Sequence, residues 1–230
     1  NELKKLRDRV SYGIVGLLWI NFALILIRNL VREEGADWMM ILATLVLLVP
    51  ATLLWAQDRT GTTTRMVTSM ANAATVAILV FAFQGSPLQI DLHMYFFASL
   101  AICAAWIDWR AIIGYAALVA VHHLLLSVAM PLAVFPGDSD FSRVVLHAVV
   151  LIVQSIVLIA LTSAVVKAFD VSDKSVAEAV AAEREAVEMA DHARRTDAAA
   201  DAERRKREAE KAREADAVDF AVAELAKSLQ

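Results

Sequence analysis

Six runs of apolar residues, at 10–27, 38–56, 66–83, 93–107, 111–135 and 144–166, limit what this chain can fold into. Each is close to the roughly 20 residues that a helix needs to cross the hydrocarbon of a bilayer. Peptide groups placed there must bond to one another, so the runs are read as helices and the fold class as an all-α integral membrane bundle. The fourth run is the shortest, because Asp108 and Arg110 cut it off. It either extends back to Leu88 or sits partly in the interface.

Charge is confined to the rest of the chain. Hydrophobic residues make up 59% of it and charged residues 21%, and the charge concentrates in 172–230, an Ala/Glu/Arg/Lys/Asp mixture without Gly or Pro. The chain therefore divides into a short N-terminal segment (1–9), a six-span domain (10–170) and a helix (171–230). Continued as one helix, the last part rises about 1.5 Å per residue and reaches roughly 90 Å. Its apolar seam is thin, with Val176, Val180 and Val187 as the larger residues, until Val218, Val222, Leu225 and Leu229 appear at spacings of 4, 3 and 4. That is the start of a coiled-coil seam, and it implies a homodimer. A net charge of −4 with no basic patch argues against a nucleic-acid partner. Cys103 is the only cysteine, which excludes internal disulfides and cysteine-rich metal sites. The first apolar run lacks a signal-peptide cleavage site. A start at Asn1 and an end within a helical pattern read as a piece of a longer protein.

Basic residues in the short loops orient the spans. Lys4, Lys5, Arg7 and Arg9 precede span one, Arg59 and Arg65 lie between spans two and three, Arg110 between four and five, and Lys167 and Lys174 after six. The opposite loops carry Arg28 and Arg32 balanced by Glu33, Glu34 and Asp37, then "QGSPLQID", then Arg143 after "PGDSDFS". Both termini are thus expected in the cytoplasm. Trp38, Trp55, Trp106 and Trp109 fall near span ends, where interfacial aromatics belong. Asp108 and Arg110 read as a local ion pair ending span four, Asn21, Ser69, Asn72 and Thr75 as hydrogen-bond partners between helices, and Pro50 and Pro131 as kinks.

His93, His122, His123 and His147 fall within or at the edge of spans, where ionisable groups are rare, costly and usually functional. His192 lies in the charged helix and reads as a surface residue. Each buried histidine can instead be a neutral ring bonded to a backbone carbonyl. Counted along ideal helices, His93 and His147 lie near the outer boundary and His123 roughly 12 to 18 Å below the 131–135 end, so one compact ion held by all four is strained. Two arrangements remain: an outer site of Asp91, His93 and His147 with a deeper one near His122 or His123, or one larger ligand such as haem b bridging the levels. Neighbouring His122 and His123 point about 100° apart, so one can be a ligand and the other structural. Gln154, seven residues after His147, can orient a ring nitrogen. Asp91 is either a ligand or a cap of span four. Met94 and Cys103 are soft donors suited to copper(I), or packing residues.

The segment 91–154, with "DLHMYFF", "HHLLLSVAMPLAVFP" and "RVVLHAVV", resembles the polytopic sensory module ahead of the signalling domain in some bacterial methyl-accepting chemotaxis proteins. The end, "VAELAKSLQ", is similar to the last helix of a HAMP-type relay. These motifs cover about a quarter of the chain. The resemblance implies the bacterial inner membrane and downstream chemotaxis proteins reached through a cytoplasmic hairpin that this sequence does not contain. In the family the position of Gln154 is often acidic, and the glutamine weakens any site that needs a carboxylate there.

The expected function is a non-enzymatic chemoreceptor input module. A metal ion (copper, zinc or iron) or haem on His93, His147 and one of His122 or His123 would shift span six, and the helix would pass the shift on. A histidine-rich membrane metalloenzyme and a ligand-free membrane anchor are the rival readings. The enzyme would need more histidines or carboxylates than the chain offers.

Overall fold

The computed structural model describes residues 2–32, 35–134 and 141–228, and all regular structure among them is helical. Helices α1 (Glu2–Leu30), α2 (Trp38–Gln57) and α3 (Thr62–Ala82) are followed by α4 (Leu88–His93), α5 (Tyr95–Cys103) and a 3-10 turn (Ala104–Trp106). Then come α6 (Trp109–Ala129), α7 (Pro131–Val134) and α8 (Phe141–Ser228). Six segments among the described residues are long and apolar enough to cross a membrane: α1, α2, α3, the α4-to-Trp106 stretch, α6 and α8. Glu33, Glu34, most of "PGDSDFS", Phe135 and Leu229 lie outside the described residues.

Two spans are interrupted. The fourth does reach back to Leu88, but it breaks at Met94, where the chain tightens into three-residue bonds from Met94 N to the Asp91 carbonyl (3.2 Å) and from Phe97 N to the Met94 carbonyl (3.1 Å). The fifth does not run to Phe135. Pro131 has no amide hydrogen and pushes the preceding residue out of helical geometry, so Met130 adopts φ −148° and α6 ends at Ala129. Pro50, by contrast, lies inside an uninterrupted α2.

Helix α3 sits at the centre, packed against α1, α2, α5 and α6. Its inward face carries Thr68, Ser69, Asn72 and Thr75, all fully buried. Asn72 and Thr75 find partners across helices as expected: Asn21 Nδ2 donates to Thr75 Oγ1 (3.0 Å) and to Asn72 Oδ1 (3.4 Å), and Tyr95 Oη donates to Asn21 Oδ1 (2.8 Å). Ser69, expected to do the same, has no hydrogen-bond partner among the described residues. Apolar residues of α3, α5 and α6 close around them, including Val76, Val80, Leu100, Ile112 and Tyr115.

The local pair expected between Asp108 and Arg110 is the weaker of two. Asp108 Oδ2 lies 2.7 Å from Arg65 Nε, both side chains being buried, whereas Arg110 stands 3.8 Å away. Asp108 also caps α6 by accepting from Arg110 N (3.0 Å). Trp106, expected in the interface, is fully buried against Ile14 and Ala111, while Trp38 and Trp109 are exposed.

The chain divides into two units, Asn1–Asp173 and Lys174–Gln230. The second is helical and exposed wherever its side chains are described, His192 included. It carries the pairs Asp191–Arg195 (2.7 Å) and Glu203–Arg207 (3.3 Å), each one helical turn apart.

Replacing Arg65 by Met strands the buried Asp108 carboxylate and is expected to destabilise the bundle by about 3 kcal/mol. Thermal unfolding in detergent checks this, and adding Asp108→Asn should restore part of the loss.

Candidate functional site

Three of the four span histidines meet at one end of the first unit. His93 ends α4, His123 lies six residues before the end of α6, and His147 six residues after the start of α8. At about 1.5 Å per residue His93 is roughly 8 Å from the start of α4, His123 roughly 9 Å from the end of α6 and His147 roughly 9 Å from the start of α8, so the rings share one level. This differs from the two levels expected from sequence, because α6 ends at Ala129 and brings His123 closer to its end. Ring centroids are 5.0 Å apart for His93 and His123, 5.1 Å for His93 and His147, and 5.8 Å for His123 and His147. Phe96 packs beside them, 5.5 Å from His93 and 5.6 Å from His123. The three rings and Phe96, Val119, Leu124, Val144 and Leu151 help to line a cavity of about 210 Å³ that is otherwise apolar.

The remaining candidates fall elsewhere. His122 turns aside: its ring lies 5.2 Å from that of His123 but outside the cavity wall, and its Nε2 is buried without a hydrogen-bond partner among the described residues. Asp91 is exposed and shares a separate hollow with Met94, Leu88 and Tyr95. Two residues along a helix turn a side chain through about 200°, which carries Asp91 away from the face of His93. Nor does Asp91 cap the span, since α4 begins at Leu88 after Pro87. Gln154 donates its Nε2 to the Phe97 carbonyl (3.1 Å), tying α8 to α5 rather than orienting a ring. Cys103 is fully buried in the apolar core.

Hydrogen bonding fixes which ring nitrogens face inward. His123 Nδ1 lies 2.8 Å from the Val119 carbonyl and His147 Nδ1 2.7 Å from the Arg143 carbonyl. A carbonyl only accepts, so this bonding assigns the proton of each ring to Nδ1 and leaves Nε2 with a lone pair. A carbonyl on one nitrogen with the other turned inward is the arrangement found around metal-binding histidines. His93 Nε2 lies 2.9 Å from His123 Nε2, so His93 donates into that lone pair. Two nitrogens bound to one tetrahedral ion at about 2.0–2.1 Å would stand about 3.3 Å apart, a few tenths of an ångström wider. Among the described residues no three His, Cys, Asp or Glu side chains converge on one point as they stand. An ion would start from His93 and His123, with His147 drawn in as the third donor.

One residue gave no sequence signal. Gln89 is almost fully buried, donates its Nε2 to the Leu132 carbonyl (3.0 Å) and accepts from Gly85 N (3.3 Å) through Oε1. It thereby links α4 to α7 beside the histidines. In "SPLQIDLH" it reads as an ordinary loop residue, since its partner lies 43 positions away.

Compared with models of known protein families, with curated proteins and with solved structures, the chain matches none.

Gln89→Leu removes the Leu132 carbonyl's partner and is expected to cost about 1–3 kcal/mol. Hydrogen exchange should accelerate in 88–93 and 131–134 while α2 and α3 keep wild-type protection.

Proposed function

We propose that the chain is the input module of a bacterial chemoreceptor-like protein, held in the inner membrane with both termini in the cytoplasm. It senses through one transition-metal ion bound by His93, His123 and His147. The observation that carries this reading is the meeting of three imidazoles from α4, α6 and α8 at one apolar cavity. One of the three belongs to the helix that runs from Phe141 to Ser228.

A single ion suits this arrangement better than haem. Two histidines on opposite faces of a haem iron hold their nitrogens about 4 Å apart with the macrocycle between them, whereas His93 and His123 stand at 2.9 Å. Among the described residues, no carboxylate lines the cavity. A divalent ion there would keep most of its charge in a low-dielectric site, which is costly, so monovalent copper is favoured over zinc or iron(II).

Binding would replace the His93–His123 hydrogen bond and draw His147 inward, moving α8. No Gly or Pro interrupts α8, so the displacement has no built-in hinge to absorb it. Val218, Val222 and Leu225 are exposed and supply the seam through which two copies pair. Chemotaxis signalling proteins acting on a cytoplasmic hairpin beyond this sequence would read the movement. The module itself catalyses nothing.

Elemental analysis and a visible spectrum of the chain purified in mild detergent test this. The expected result is close to one copper per chain, no Soret band, and more than tenfold weaker binding in His93→Ala and His123→Ala than in His122→Ala. A Soret band, or equal metal content in all three variants, would overturn it.

A further inference from the structure

The end of the bundle opposite the histidines holds a second cavity, of about 280 Å³, and its lining is basic. Arg7 from α1, Arg65 from α3 and Arg110 from α6 meet there, facing Thr162 and Ser163 of α8. Asp108 is the one carboxylate of the lining among the described residues, and it is committed to Arg65, to Arg110 and to capping α6. Three guanidinium groups against one carboxylate leave an excess of two positive charges in a partly buried space.

The arginines are held in place before any ligand arrives. Arg7 Nε donates to the Trp106 carbonyl (3.0 Å) and its Nη2 to the Ile107 carbonyl (2.6 Å), which leaves Nη1 without a hydrogen-bond partner among the described residues. Arg65 is fixed by Asp108, the Thr60 carbonyl and Thr62 Oγ1. Arg110 lies over the Trp109 ring, 4.7 Å from its centroid, and is half exposed. Between them Ile107 takes a left-handed conformation, φ 51°, which a β-branched residue adopts only under constraint. The two carbonyls bonded to Arg7 flank this kink, so the strain is tied to the placement of the arginine. The positive end of the α6 dipole adds to the same field.

Preplaced guanidinium forks beside hydroxyl groups match the oxygens of a phosphate. Basic pockets between membrane helices at the cytoplasmic boundary bind anionic headgroups. Trp109, half exposed beside this pocket, is the residue type expected at a bilayer boundary. We propose that the Arg7/Arg65/Arg110 pocket binds a phosphate group, presented by the headgroup of an anionic lipid, and that the occupied pocket braces α8 at Thr162 and Ser163. The site is independent of any metal at the histidines.

The test is native mass spectrometry of the chain released from nanodiscs of phosphatidylcholine with phosphatidylglycerol. Wild type should retain phosphatidylglycerol preferentially. Arg110→Gln, which removes no structural bond to the backbone, should weaken retention about fivefold, the effect of about 1 kcal/mol for one basic group near the surface. Arg9→Gln, exposed at the same end but outside the pocket, should retain it as wild type does. A second arm adds inorganic phosphate to lipid-free protein in detergent. Binding that Arg110→Gln weakens would show that a phosphate group alone suffices, and lipid binding without it would show that the acyl chains contribute; both support the proposal. Equal retention in wild type and Arg110→Gln, or an equal loss in Arg9→Gln, would overturn it.

Discussion

Peptide groups inside hydrocarbon have no water to bond, so a helix that stops there must hand its free carbonyls and amides to another part of the protein. The rest of the structure follows from how this chain meets that demand at two interrupted spans. Met94 separates α4 from α5, and Met130 separates α6 from α7. Met130 N bonds back to the Leu126 carbonyl at the second gap while Gln89 of α4 donates to the Leu132 carbonyl beyond it, and the tight turn at Met94 satisfies the first internally. The histidines lie beside these breaks, where the helices need not pack along a straight seam and a cavity can remain between α4, α6 and α8.

The two ends of the bundle are built on opposite electrostatic principles. At one, imidazoles bond to carbonyls and to each other in an apolar cavity, the donor set of the proposed ion. At the other, charge is already present and fixed by Arg65, Asp108 and Arg7. Between them α3 runs through the core, its buried amides and hydroxyls bonded to α1, whose Asn21 in turn accepts from Tyr95 of α5. Each such bond contributes on the order of 1 kcal/mol in a membrane interior, so α3 acts as a shared frame. Helix α8 makes far fewer buried contacts, with most of its apolar residues exposed. Of the segments that reach both ends, it is the one least restrained by the core.

Much of this was legible in the sequence, because length and hydropathy determine where spans can lie. The option of extending span four back to Leu88 and the pairing of Asn21, Asn72 and Thr75 follow from local composition. The register of the histidines did not, since it depends on where α6 stops, and Pro131 ends the helix although the apolar pattern continues past it. Asp91 looked like a ligand because it is near His93 in sequence, but the helix turns the two apart. Asp108 looked paired with its neighbour Arg110, while its close partner Arg65 lies 43 residues away. Gln89 and Arg7 likewise act on carbonyls distant in the chain, and single-sequence patterns carry no record of such pairings.

The proposed sensing rests on His93, His123 and His147 forming one site for a single ion. X-ray absorption at the copper edge, on chain loaded with copper(I) under reducing conditions, tests it most directly. Three imidazole nitrogens at about 2.0 Å, falling to two in His147→Ala, are expected. Copper bound through sulfur, or through oxygen without imidazole, would contradict it.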